Sequence, residues 1–382
     1  MFGDNDQYNE KAIIKVIGVG GGGCNAVDRM IENGVSGVEF ISVNTDSQAL
    51  RNSKADTRIL IGKSTTGGLG AGAKPEVGRQ AAIEQEDEIR EALAGANMVF
   101  ITSGMGGGTG SGAAPIIASI ARDMKCLTIG VVTKPFSFEG KHRMVQALNA
   151  IEELKQHVDA LIIIPNDRLL QIAGRFTPYL ESFRMADNVL RQAVQGITEI
   201  IDTNGVINVD FADVKTVLSN RGTALMGIGI AKGETRTKDA AQLAIKSSLL
   251  ETSINGATQA IVNITSSVST SLYDIDEIIK EIKSATTTEL NLIYGCAINP
   301  ELGDEIVVTV IATGFENDPL KDLPLSNDGA IAPEDDEDEE LERVILEKPS
   351  KKEKKSLFSK KEKKVKDKEK EQDAIVPPWL SK

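Results

Sequence analysis

The chain carries little that could cross-link it, hold zinc or anchor it in a bilayer. Its three cysteines, Cys24, Cys126 and Cys296, are odd in number and far apart. They form neither a disulfide framework nor a zinc pattern, which fits a reducing cytoplasm. The longest apolar stretch, Ala160–Pro165, falls far short of the roughly 20 residues that a membrane helix needs. The opening MFGDNDQYNEK is acidic and has no apolar segment, so no secretory signal is expected in it. Aromatic residues are scarce, at 4% of the 382 positions. The two histidines, His142 and His157, read as surface or supporting residues. A net charge of −13 argues against a nucleic-acid-binding body.

What is present is an alternation. Short β-branched runs at 12–19, 38–43, 58–61, 98–102, 127–133 and 160–164 read as strands. Helical patterns such as 76–93 and 141–154 lie between them. Apolar strands alternating with helices predict a parallel sheet covered on both faces. A long helix follows, with Thr177 as cap and Pro178 in the first turn. Leu180, Phe183, Val189, Ala193, Ile197 and Ile200 form its apolar stripe. Beyond Asn204–Gly205 the pattern predicts a smaller α/β unit with a mixed sheet. Its helices are expected at 238–250 and 275–284, and its strands at 260–265, 291–297 and 305–312. From about Glu316 the composition is that of a disordered charged tail: an acidic run at Glu334–Glu340, then a lysine-dominated one at Lys351–Lys370.

Three glycine-rich loops carry the chemistry. Gly18–Asn25 follows the first strand and opens a helix. Such a loop lets the backbone approach an oxyanion at a helix N-terminus. Alone it equally fits a dinucleotide-binding turn or a plain glycine turn. Ser103–Gly112 lies between a strand and a helix and offers a nest of amides, with Thr109 and Ser111 as hydroxyl donors. Gly67–Pro75 follows the third strand. Loops at successive strand ends gather at one sheet edge, where open α/β sheets bind ligands. No Gly-x-x-x-x-Gly-Lys-Ser/Thr occurs, which excludes a Walker-type NTPase.

These segments resemble a known family. GGGTGSG at Gly106–Gly112 matches the tubulin signature. GVGGGGCNAV, NTD (Asn44–Asp46), GLGAGAKPEVG, PFSFEGKHR (Pro135–Arg143), NDRL (Asn166–Leu169), ADNVLRQ and NVDFADV (Asn208–Val214) follow in order. With them the chain resembles the tubulin/FtsZ family, on its bacterial FtsZ side, over about Ile13 to Gly314 and again at the extreme C-terminus.

The resemblance implies a GTPase that polymerises head to tail into the cytokinetic ring at mid-cell in the cytoplasm. It implies GTP or GDP as ligand, Mg2+ with GTP, a potassium ion as a further candidate, and no protein metal site. Gly21, Gly22, Gly23, Cys24 and Asn25 would line the phosphates, and Gly20, Asn44, Thr45, Ala71, Gly72, Ala73, Gly104, Gly106 and Gly107 would belong to the same nucleotide-binding set. Gly108, Thr109 and Gly110 would hold the terminal phosphates. Glu139 and Arg143 would lie at the ribose, with Pro135 also in the nucleotide-binding set, and Asn166, Phe183 and Asp187 around the base. A carboxylate at Asp187 can accept both N1–H and the exocyclic amine of guanine, a donor pair that adenine lacks. It also reads as an ordinary solvated carboxylate, and Glu139 with Arg143 as a helix salt bridge at four-residue spacing.

Catalysis is implied to come from Asp210 and Asp213, with Asn208, reaching the next subunit's γ-phosphate. The plainer reading has one of these acids capping the following helix. The implied parts are a flexible N-terminus (1–11), a GTP-binding domain (12–176), a central helix (177–203), an activating domain (204–315), a charged linker (316–372) and a partner peptide (373–382). The peptide's Ile375, Val376, Trp379 and Leu380 would dock on a membrane tether such as FtsA and on other ring proteins. Neither membrane insertion nor specific nucleic-acid binding is expected. The lysine run reads as a solvated leash or as a contact for anionic lipid.

Two rivals remain. An oxidoreductase would use Asp46 to read ribose hydroxyls, and a non-hydrolysing relative would serve only as scaffold.

Overall fold

The computed structural model describes residues 11–172, 177–202, 207, 209–247, 253–268 and 270–315. Asn208, the tail and its terminal peptide, with Ile375, Val376, Trp379 and Leu380, lie outside the described residues.

Ten strands form one sheet in the order β3-β2-β1-β4-β5-β6-β7-β10-β8-β9. The first six are β1 (Ile14–Val19), β2 (Glu39–Asn44), β3 (Thr57–Leu60), β4 (Met98–Gly104), β5 (Leu127–Lys134) and β6 (Ala160–Pro165), and all their pairings are parallel. Along β1, Ile14 and Val16 face one core cluster, shared with Val27 and Met30 of α1 (Gly20–Glu32). Ile17 and Val19 face the other, shared with α5 (Gly108–Asp123), below. Both faces are therefore buried, which is why these strands read as unbroken apolar runs.

Between β2 and β3 lies a short helix, α2 (Ser47–Asn52). The expected single helix over 76–93 is two, α3 (Pro75–Glu84) and α4 (Glu86–Leu93). The break falls at Gln85, which is buried and whose side-chain oxygen accepts the Gly62 amide instead of pointing to solvent. α6 (Lys141–Lys155) follows β5, and α7 (Asn166–Ile172) follows β6.

The long helix, α8 (Tyr179–Asp202), packs on β5 and β6 at one end and on two later strands, β8 (Gln259–Ser266) and β9 (Asn291–Ile298), at the other. Its buried stripe includes Val189, Ala193, Ile197 and Ile200, as the periodicity predicts. α9 (Phe211–Leu218) leads into β7 (Gly222–Ala231), a strand the sequence pattern does not mark. Its glycines hide it. A Cβ at Gly227 or Gly229 would stand 2.0 and 1.9 Å from the carbonyl oxygens of Ala244 and Ala240. The helix α10 (Arg236–Ile245) lies with its backbone directly on that strand.

β7 pairs in parallel with β6 over only three residue pairs, beginning at Ala160 and Gly222. On its other side it runs antiparallel to β10 (Ile306–Thr313). β10 is antiparallel to β8 (Gln259–Ser266), and β8 is parallel to β9 (Asn291–Ile298). With α11 (Leu272–Ser284) this is the expected mixed α/β unit, joined to the parallel half through one continuous sheet.

Candidate nucleotide site

β1, β4, β5 and β6 end on the same edge, and the glycine loops leave from that edge. α1 starts at Gly20 straight from β1, and α5 starts at Gly108 after Met105–Gly107. α5 thus begins inside the glycine loop, earlier than its apolar pattern shows. Among the described residues no side chain caps either helix. Their first-turn amides keep unpaired donors at the positive ends of two helix dipoles. The two loops touch. Gly20 has φ +72°, and a Cβ there would sit 2.9 Å from the Gly110 nitrogen. No larger residue fits both that conformation and that approach.

Gly21, Gly22 and Asn25 are exposed at this edge, whereas Gly23 is buried. Cys24 turns its thiol inward, toward the carbonyls of Val43 (3.6 Å) and Gly18 (3.7 Å). Burial pushes that thiol up to about 12. Only its backbone is left for a phosphate. Ser111 is likewise turned away from any phosphate, because its buried hydroxyl accepts the Gly106 amide at 2.8 Å and shapes the loop. Thr109 stays half-buried at the rim, with Oγ1 2.7 Å from Oγ1 of Thr45. Asn44 is buried, and its side-chain oxygen accepts the Asp46 amide.

The third loop is fastened to the same place. Gly70 donates to the Thr45 carbonyl at 3.1 Å, and Ser47 donates to that of Gly68 at 3.0 Å. Ala71 is buried against Gly108, while Gly72 and Ala73 are exposed. Asp46 caps α2, accepting the amides of Gln48 (2.8 Å) and Ala49 (3.1 Å). It is committed to that turn and not to a ribose, which removes the main support for the oxidoreductase reading.

Beside the loops lies a cavity of about 110 Å³. Gly22, Gly104, Pro135, Glu139, Arg143, Asn166, Phe183 and Asp187 line it, all marked by the motifs. Met105, Thr133, Ala186 and Leu190 complete it. Met105 belongs to the second glycine loop and Ala186 and Leu190 to the ADNVLRQ segment, so of these four only Thr133 lies outside every motif. A larger groove of about 220 Å³ between α1 and α8, lined by Arg29, Glu181 and Arg184 among others, includes no glycine-loop residue.

The cavity walls are held from behind. Phe136 is fully buried, stacks on Phe138 at 5.0 Å and meets Phe183 edge-on at 5.2 Å. Glu139 accepts the Phe136 amide at 2.8 Å and the Arg143 guanidinium at 3.0 Å. The local salt bridge therefore exists, and both residues still line the cavity. Two groups await a partner. The side-chain oxygen of Asn166 is buried and accepts no hydrogen bond among the described residues. Burial pushes the Asp187 carboxyl up to about 6, opposed only by the guanidinium of Arg29. An acceptor oxygen and a desolvated carboxylate beside an aromatic ring fit a purine carrying ring and amino N–H donors.

Asp210 and Asp213 are not in this cavity. Asp210 caps α9, accepting the Asp213 amide at 2.8 Å, so the capping reading is correct for it. Both acids are exposed.

Fold and loops together define a nucleoside-phosphate-binding protein without a Walker motif. Residues 13–174 match the family model described as the tubulin/FtsZ family GTPase domain, and residues 222–316 match the FtsZ family C-terminal domain. FtsZ of M. jannaschii, solved as an empty dimer, is 43% identical with a TM-score of 0.77, over 80% of this chain and 89% of its own. CetZ2 of Haloferax volcanii, solved as a GTPγS-bound protofilament, is 20% identical with a TM-score of 0.66, over 78% and 92% of the two chains. CetZ1 of the same organism, solved as a GDP-bound monomer, is 22% identical with a TM-score of 0.68, over 80% and 96%. The chain belongs to the tubulin/FtsZ family, and it is a GTPase.

Proposed function

We propose that this GTPase assembles head to tail into filaments that build the cytokinetic ring of a bacterial cell, and that it hydrolyses GTP at the junctions between subunits. The observation behind this reading is a separation. The glycine loops and the cavity form a binding site on the strand-end edge, whereas Asp210 and Asp213 stand exposed on another segment. The cavity's own acids, Glu139 and Asp187, lie among the residues assigned to ribose and base.

In this scheme the amides of Gly20–Gly22 and Gly108–Gly110 hold the phosphates, and Thr109 adds its hydroxyl. Asn166, Phe183 and Asp187 read guanine. Asp213 of the next subunit, with Asp210 and Asn208, orients the attacking water and stabilises charge as the γ-phosphate departs. A donor face and a distinct acceptor face make a heterologous contact that propagates into an open filament. Mg2+ and a potassium ion would enter with the phosphates. The filament works in the cytoplasm at mid-cell, and Ile375, Val376, Trp379 and Leu380 dock on a membrane tether such as FtsA.

The test is GTPase rate against protein concentration. Activity per subunit is expected to be near zero in dilute monomer and to rise steeply above a threshold. Constant specific activity on dilution would show that one chain holds the whole site.

A further inference from the structure

The turn that follows α9 is stapled to a buried carboxylate that no nucleotide motif contains. Asp159 is 8% exposed and precedes β6. One side-chain oxygen accepts the Thr128 amide at 2.9 Å. The other accepts the Asn220 amide at 3.1 Å and the Ser219 hydroxyl at 3.4 Å. Its backbone carbonyl accepts Arg221 and Gly222 at 2.8 and 3.0 Å. Every residue of the Ser219–Gly222 turn is thus bonded to this one aspartate. Asn220 stands in the left-handed region, at φ +54°, where the turn must be held. Just before the turn, Thr313 donates its hydroxyl to the Val217 carbonyl at 3.1 Å.

We infer that Asp159 is a positioning residue for hydrolysis: by fixing the C-terminal end of α9 it sets the aim of Asp213 at the other end. This rests on the in-trans reading above. The leverage is geometric. α9 has eight residues, so at 1.5 Å per residue it is about 12 Å long, and a tilt of about 5° at the staple moves its tip by about 1 Å. A misplacement of about 1 Å in a reacting group can cost about a hundredfold in rate. Asp159 precedes the first residue of β6, whereas the glycine loops leave the opposite ends of the parallel strands. A change at Asp159 therefore leaves its own subunit's nucleotide contacts in place. The carboxylate matters as a double acceptor. Asparagine keeps the volume but turns an N–H donor toward one of the two amides.

The experiment compares full-length Asp159→Ala, Asp159→Asn and Asp213→Ala with wild type. It measures GTP affinity in dilute monomer, the sedimented filament fraction, and kcat and KM in filaments. For Asp159→Ala, kcat per sedimented subunit is expected to fall at least about tenfold with KM and monomer affinity unchanged, and Asp159→Asn is expected to fall less. A general loss of folding would lower affinity and assembly together with kcat. If Asp159→Ala does not fold, Asp159→Asn and Thr313→Val, which releases the Val217 carbonyl, decide by the same split. Normal kcat in folded Asp159 variants beside a defective Asp213→Ala overturns this inference alone. Normal kcat in Asp213→Ala filaments overturns the in-trans reading and this inference with it.

Discussion

Asp187 on α8 and Asp213 on α9 are both helix carboxylates, yet their surroundings are opposite. Asp187 is desolvated, and its carboxyl is pushed up to about 6. Asp213 stands in the first turn of α9, open to water. A carboxylate held out of water without a matching cation is costly unless something arrives to hydrogen-bond it. The fold accepts that cost at Asp187, inside a cavity it builds itself. At Asp213 it does not, and an exposed carboxylate in water orients nothing strongly. On the function proposed above, the first acid serves a ligand of its own chain, and the second becomes effective only when another subunit's surface removes its water.

The sharpest way to break this contrast is Asp213→Ala. GTP binding to the monomer is expected to stay near the wild-type value, while hydrolysis in filaments falls about a hundred- to a thousandfold, as losing one positioning or electrostatic group commonly costs. Equilibrium binding and single-turnover hydrolysis measure the two effects separately. A matching loss of affinity would place Asp213 in its own subunit's site and erase the contrast. Asp187→Ala tests the other pole. Removing two charge-assisted acceptors worth about 1.5–3 kcal/mol each is expected to weaken GTP by at least about a hundredfold and to collapse its preference over ATP. Competition titration reads both quantities. Equal wild-type affinity for the two nucleotides would refute the base assignment.

Much of this was legible in the residues, for identifiable reasons. The parallel strands show because both faces are buried and leave continuous apolar runs such as Leu161–Ile164. The phosphate loops show because close backbone approach demands glycine in clusters. The same demand hid β7, whose Gly227 and Gly229 admit the α10 backbone and so read as a loop. Gln85 looks like one more helical residue, and its bond to the distant Gly62 amide, at the point where α3 gives way to α4, has no local signature. Thr133 enters the cavity beside Gly104, its partner across the β4–β5 pairing, which no local pattern encodes. Asp159 is silent for the same reason, since its partners lie about 30 and 60 residues away.

The smallest expected effect is the most specific to Asp187: a pH dependence of GTP binding. Guanine offers donors, so it needs the carboxylate, and a proton competes with it. With the free protein's carboxyl at about 6, about nine-tenths of it is protonated at pH 5 and about a tenth at pH 7. GTP affinity should therefore be flat above pH 7 and fall about tenfold by pH 5. GTP's own phosphates also titrate, so Asp187→Ala serves as the reference: the part of the slope due to Asp187 vanishes in it. Denaturation cannot imitate the effect through this group. Its folded pKa lies above the ordinary aspartate value of 3.8, so its contribution to the stability of the nucleotide-free protein is fully present below that value and is lost as pH rises through about 6. Between pH 6 and 4 the protonation of Asp187 steadies the fold while it weakens the nucleotide, and thermal melts run beside the binding titrations should move in opposite directions on this account. An affinity that holds constant to pH 5 in the wild type, or a slope that persists in Asp187→Ala, would mean that another group reads the base.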